Sequence, residues 1–198
     1  FLTAWMNIGT ALLNEERHSE ALTAIKKVLE LDPNDSAAHI NMGIIYHKFG
    51  RLDQALNSTL KSLQLKPDNP TTLMNLGSIY KELGKLDQAL IFTLKSRELN
   101  PNDPTVHINL GAIYNSLGNL DQALNSILKS LELEPDSSVA HMNLGRIYKD
   151  QGDLNQALSS TLKSLELNPN NQNAHMNLGM IHHDLGNLDQ ALSHSLKS

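Results

Sequence analysis

The chain has 198 residues, a formal net charge of -5, no cysteine and only 4% aromatic residues. No basic run supplies the electrostatic footprint that phosphate-backbone binding needs, so nucleic acid is not an expected partner. No stretch approaches the ~20 apolar residues of a membrane-spanning helix, and without cysteine there are neither disulfides nor thiolate metal sites.

The glycines organise the rest. Gly9, Gly43, Gly77, Gly111, Gly145 and Gly179 recur every 34 residues, and Gly50, Gly84, Gly118, Gly152 and Gly186 follow seven residues later in each copy. Tyr46, Tyr80, Tyr114 and Tyr148 all occupy position 11 of the repeat, and Pro33, Pro67, Pro101, Pro135 and Pro169 all occupy position 32. A fixed period of this size is the signature of a solenoid, in which each copy buries its apolar face against its neighbours. The repeats run over 2–35, 36–69, 70–103, 104–137, 138–171 and 172–198, the last one short, and together form one array over 1–198.

Within each repeat two helices are predicted. Positions 1 to 14 carry apolar residues at 4, 7, 8 and 11, one helical stripe. Pro70 and Pro104 stand at position 1, where a missing N–H costs nothing. Glycine at position 15 ends this helix in a left-handed turn. A second helix begins near position 17 in the LDQAL segment, with Asp53, Asp87, Asp121 and Asp189 in its first turn, favoured there by the helix dipole. Its apolar face is expected at 17, 20, 21, 25, 28 and 30, and the proline at 32 closes it. Glycine at position 8 lies in mid-helix, where it costs roughly 1 kcal/mol against alanine. Six occurrences point to a close helix–helix approach that a β-carbon would block.

The pattern resembles the tetratricopeptide repeat (TPR) family. Trp5, Ile8, Gly9, Ala21 and Pro33 carry it in the first repeat, and Met42, Gly43, Tyr46, Gly50, Ala55 and Pro67 in the second. The resemblance covers essentially the whole chain and implies an all-α, right-handed superhelical solenoid of helix-turn-helix repeats. Three positions depart from the family pattern. Position 4 is His39, His107, His141 and His175; position 24 is Thr59, Thr93, Ile127, Thr161 and Ser195; position 27 is Ser62, Ser96, Ser130, Ser164 and Ser198. A compensated exchange is expected, in which the small hydroxyl residues leave room for the histidine and partner its ring nitrogens.

Catalytic motifs are missing: there is no P-loop, no G-x-G-x-x-G and no G-x-S-x-G. His107, His141 and His175 recur one repeat apart, roughly 10 Å by helix packing distance, too far to share an ion. His182 and His183 are adjacent on a helix and point about 100° apart, which suits no single ion. Asn57-Ser58-Thr59 matches a glycosylation sequon but lies within a predicted helix. No enzymatic activity, metal or cofactor is expected.

Candidate binding residues lie on the other face of the first helices, which in the TPR family line the concave groove. Position 6 is Asn7, Asn41, Asn75, Asn109, Asn143 and Asn177, invariant across the six copies. Beside it run Met6, Ile40, Met74, Ile108, Met142 and Met176 at position 5. Lys81 and Arg146 are among the varied residues nearby. An asparagine carries one acceptor and two donors, the complement of a peptide unit, and methionine gives adaptable apolar contact. The column resembles the asparagine ladder in the TPR domains of O-linked N-acetylglucosamine transferases. It has two readings: a clamp on an extended backbone, or a structural bond between adjacent repeats.

The expected function is a scaffold that holds a protein or extended peptide. The alternatives are the substrate-recruiting arm of a larger transferase and a self-assembling array. The chain begins at Phe1 and stops within a helix of the sixth repeat, so it reads as a piece of a longer protein. Leu185, Leu188, Leu192 and Leu196 are expected to be partly uncovered there and to favour end-to-end self-association. No secretory signal is visible, and a cytoplasmic location is expected.

Overall fold

The structure, a computed structural model, describes residues 1–187. Those residues form eleven helices: α1 (Leu2–Asn14), α2 (His18–Leu31), α3 (Ser36–Lys48), α4 (Leu52–Leu65), α5 (Pro70–Glu82), α6 (Leu86–Leu99), α7 (Pro104–Ser116), α8 (Leu120–Leu133), α9 (Ser138–Asp150), α10 (Leu154–Leu167) and α11 (Gln172–Asp184). No strand occurs among the described residues. Odd-numbered helices are the first helices of the repeats and even-numbered ones the second. The chain divides into two compact units, Phe1–Pro101 and Asn102–Ser198. In the first, α1, α3 and α5 pack on α2, α4 and α6, each second helix also touches the next first helix, and consecutive first helices meet. In the second, α7 and α9 pair with α8 and α10 in the same way, and α11 packs on α9 and α10.

Local chemistry sets the helix ends. The residue before each first helix from α3 onward is an N-cap whose side chain accepts a backbone N–H of the first turn: Asp35 from Ala38 at 2.8 Å, Asn69 from Thr72 at 3.1 Å, Asp103 from Thr105 at 2.9 Å, Ser137 from Ala140 at 3.4 Å and Asn171 from Ala174 at 3.1 Å. At the other end, a backbone N–H reaches back over the glycine to satisfy an orphan carbonyl, as in Arg51 to Tyr46 and Lys85 to Tyr80, both at 2.9 Å. The glycine sits at positive φ, from 68° at Gly50 to 83° at Gly152. The first repeat makes the same turn, Arg17 to Leu12 at 2.9 Å, with Glu16 held at φ 58°.

The glycine at position 8 has the expected role. A β-carbon on Gly9 would lie 2.6 Å from Ile25 Cδ1, and one on Gly111 would lie 2.5 Å from Ile127 Cδ1. On Gly43, Gly77 and Gly145 it would collide with the hydroxyls of Thr59, Thr93 and Thr161. The two helices of a repeat therefore cross at position 8 of the first and position 24 of the second.

That crossing redraws the core. The most deeply buried positions of the first helix include 3 and 10, exemplified by Ala38, Ile45, Val106, Ile113, Ala140 and Ile147, rather than the expected 4 and 11. In the second helix the alanine at position 20 is fully buried in every repeat from Ala21 to Ala157, and so are Thr59, Ser62, Thr93, Ser96, Thr161 and Ser164 at 24 and 27. The leucines expected there are less buried; Leu99, Leu128 and Leu162 remain exposed. Positions 20, 24 and 27 are four and three residues apart and form one helical face. Small side chains predominate on this face, and the isoleucines at position 24, Ile25 and Ile127, fit where they pack over a glycine.

Candidate functional site

Three of the position-4 histidines bond a backbone carbonyl. His39, His141 and His175 each donate from Nε2 to the carbonyl of the proline six residues earlier, Pro33, Pro135 and Pro169, at 2.9, 3.0 and 2.9 Å. The ring ties the first helix to the turn that precedes it. The buried serines instead bond the start of their own first helix: Ser62 Oγ lies 3.0 Å from Ser36 Oγ, Ser96 Oγ donates to Pro70 O at 2.8 Å, and Ser164 Oγ donates to Ser138 O at 2.8 Å. These histidines are thus satisfied by a backbone carbonyl, and the buried serines by the backbone and hydroxyls of the first helix. His182, in the tyrosine slot, is buried, while His183 is exposed beside Asp184. No group of three or more metal-ligating side chains occurs among the described residues.

The asparagine column lies in the seam between consecutive first helices. Asn41 Nδ2 is 3.5 Å from Met6 Sδ and 3.4 Å from Thr10 Oγ1, both in the preceding first helix. Asn177 Nδ2 donates to Met142 O, again one repeat back, at 3.3 Å. Asn143 turns along its own helix: Nδ2 donates to Val139 O at 3.0 Å, and Oδ1 accepts from Arg146 Nη2 at 3.3 Å. The structure therefore brings Asn143 to Arg146 and Asn177 to Met142. Asn143 and Asn177 are only 5% and 2% exposed, whereas Asn41, Asn75 and Asn109 are half-buried and Asn7 is exposed. Asn75 Nδ2 is buried without a partner. Met74, Ile108, Met142 and Lys81 are half-buried, and Met176 is 49% exposed.

The varied positions 12 and 13 make contacts that sequence reasoning missed. His47 Nε2 of α3 lies 2.8 Å from Glu82 Oε1 of α5, a charge-pair distance whose N–H direction falls outside hydrogen-bond geometry. Asn115 Nδ2 of α7 donates to Asp150 Oδ2 of α9 at 2.9 Å. Residue 12 of one repeat thus meets residue 13 of the next, a pairing legible only once the period and the helix stacking are combined. Away from this face, the guanidinium of Arg17 bonds Glu20 and Glu15, which raises its own pKa and lowers that of Glu20. At the far end Leu185 is 37% exposed, while Leu188, Leu192 and Leu196 lie outside the described residues. No described helix is long and apolar enough to cross a membrane.

Solved structures share this architecture. A chain of the Cut9–Hcn1 hetero-tetramer of the APC/C is 22% identical, with a TM-score of 0.89 over 99% of this chain. The present chain spans 39% of that one. A thermophilic TPR protein of Thermus thermophilus is 25% identical, with a TM-score of 0.76 over 99% of this chain and 100% of its own. YrrB, described as a TPR protein with an unusual peptide-binding site, is 25% identical, with a TM-score of 0.63 over 86% of this chain and 88% of its own. No curated protein matches the sequence. Family models described as TPR repeat match residues 45–84 and 145–186, and models described as tetratricopeptide repeat match 3–35, 24–57, 70–103, 104–137 and 126–159. With these matches running through nearly all of the helix pairs, the chain belongs to the tetratricopeptide repeat family, whose all-α repeat fold is typical of protein–protein interaction.

Proposed function

We propose that the chain is a protein-binding scaffold that takes up extended polypeptide along the asparagine-bearing faces of its first helices, α3 and α5 in one unit and α9 and α11 in the other. The observation that carries this reading is the way Asn41 is held. Its Nδ2 is engaged by the preceding repeat, which fixes the amide, while Oδ1 receives no donor. A fixed acceptor beside Met6 suits a backbone N–H next to an apolar side chain, and pre-ordering lowers the entropy lost on binding. In the second unit Met176 and Met180 are the exposed apolar contacts, and Arg146 is the charged one. TPR proteins are generally non-catalytic, and no catalytic role is proposed. A recruiting arm of a larger transferase would use the same faces.

The test is a titration of a random extended-peptide library against wild type, Asn41→Ala/Asn75→Ala and Asn41→Asp. Each backbone bond is worth roughly 0.5–1.5 kcal/mol, so the double alanine variant should bind about tenfold more weakly with its helix content intact. Asn41→Asp keeps the acceptor and loses the structural donor, so it should be less stable yet still bind. Equal binding by wild type and the double alanine variant would show that the column only joins repeats.

A further inference from the structure

The exposed face of α6 differs from those of the other second helices. Ile91 is 52% exposed, where the second, fourth and fifth repeats have Asn57, Asn125 and Ser159. Phe92 follows it, where those repeats have Ser58, Ser126 and Ser160, and its ring stacks on Tyr80 with centroids 5.4 Å apart and planes 5° apart. Leu99 is 47% exposed, whereas its counterparts Leu65, Leu133 and Leu167 are half-buried. Ile91, Lys95 and Leu99 follow one another at intervals of four residues and, with Glu98, form one stripe along the helix.

The charges on that stripe are also unlike their counterparts. Lys27 pairs with Glu30 at 2.7 Å, Lys129 with Glu132 at 2.8 Å and Lys163 with Glu166 at 3.1 Å, each within its own helix. Lys95 and Glu98 have the same spacing, yet their side chains make no ion pair or hydrogen bond among the described residues. Both lie on the wall of an open cleft with Leu63, Phe92 and Leu99. The stripe thus presents an unpaired cation and an unpaired anion between two exposed aliphatic side chains. That arrangement complements itself. The midpoint of Ile91 and Leu99 and the midpoint of Lys95 and Glu98 are about 2 Å apart along the helix axis, so a single two-fold axis serves both pairs.

We propose that this stripe of α6, in the first compact unit, is an isologous docking surface for a second copy of the chain. The two α6 helices run antiparallel about the two-fold axis. Ile91 of each copy packs on Leu99 of the other, and Lys95 of each pairs with Glu98 of the other. A foreign helix would need its own matching order of aliphatic and charged residues, whereas a second copy supplies it by symmetry. One helix face per copy is a small interface, so association on the order of tens of micromolar is expected. The contact closes at a dimer, unlike the end-to-end association expected of Leu185, which adds copies without limit. It lies on a second helix, apart from the asparagine-bearing first helices, so it and the proposed function can fail independently.

Sedimentation velocity of the whole chain, from micromolar to millimolar concentration, tests this. Wild type should pass from monomer to dimer and no further. Ile91→Asn takes the residue that the second and fourth repeats carry at this position, and should weaken the dimer about tenfold with helix content unchanged. Lys95→Glu alone and Glu98→Lys alone should each weaken it about fivefold or more, since each sets like charges against each other. An equimolar mixture of those two variants should dimerise at least as well as wild type, because a mixed pair sets two acidic side chains against two basic ones. Loss of folding cannot produce that rescue. A monomer at every concentration, growth past the dimer, unchanged dimerisation of Ile91→Asn, or a mixture no tighter than either variant alone would overturn the proposal.

Discussion

His141 donates from Nε2 to the carbonyl oxygen of Pro135 at 3.0 Å, so a side chain of the fifth repeat's first helix is anchored to the turn that ends the fourth. The bond makes the histidine a fastener between repeats. Replacing His141 with Phe keeps the ring and removes the donor, and should cost about 1 kcal/mol, the usual net value of such a bond. Urea denaturation followed by circular dichroism measures it. An unchanged midpoint would mean that ring packing alone suffices. Zinc should leave the melting temperature unchanged, since the nitrogen that faces the protein is committed to a carbonyl.

The Gly43–Thr59 crossing should behave as a unit. Gly43→Ala gains helix propensity of roughly 1 kcal/mol, but its methyl group meets the Thr59 hydroxyl, which is itself bonded to Ala55 O at 2.8 Å. Overpacking of this kind costs about 1–3 kcal/mol, so the single variant should be destabilised. Adding Thr59→Ala should recover much of the loss, because the remaining contacts, to Ala55 O and to the β-carbon of residue 59, are 3.4 and 3.5 Å. A double-mutant cycle with a coupling below about 0.5 kcal/mol would refute the crossing.

Glu16 occupies a left-handed turn that glycine fills in every later repeat described. A non-glycine residue there costs about 1–2 kcal/mol, part of which is offset by the greater entropy glycine brings to the unfolded chain. Glu16→Gly should therefore stabilise the protein by roughly 0.5–1 kcal/mol. Gly84→Ala, at φ 72° with open space around the new methyl, should destabilise by a similar amount purely through backbone strain. Thermal unfolding of the two variants should shift in opposite directions.

Among the described second helices, only α10 has a side-chain N-cap, Asp153 bonding Gln156 N at 3.0 Å, whereas Arg17, Arg51, Lys85 and Asn119 make no such bond. The backbone N–H of Gln156, helped by its side chain, holds the Asp153 pKa below its ordinary value. A carboxyl whose folded pKa is depressed stabilises the fold above its unfolded pKa and loses that contribution as pH falls through the folded value. Wild type should therefore lose more stability than Asp153→Asn between about pH 5 and pH 2. Parallel losses across that window would rule the cap out as a pH-dependent element.

Much of the fold was legible because its causes are local and repeat. Glycine at positions 8 and 15 and proline at 32 act through steric rules that hold wherever the chain runs, so helix pairs, turns and the close crossing follow from spacing alone. The packing inside that crossing was not legible. Thr59 and Ser62 read in one dimension as partners for a histidine ring, yet Thr59 packs over Gly43 and the closeness permitted there makes this face the most buried one and moves the leucines aside. The position-34 caps were likewise passed over, since Asp35, Asn69 and Ser137 differ in type and share only a role.

The amino-acid sequence by itself determined the repeat, the helix boundaries and the candidate column of asparagines, because each is a matter of residue type at a fixed interval. Only the tertiary structure decided what those residues touch. His39, His141 and His175 reach a proline carbonyl, since the turn places that carbonyl beside the ring. Asn41 and Asn177 reach back to the previous first helix, since consecutive first helices pack side by side.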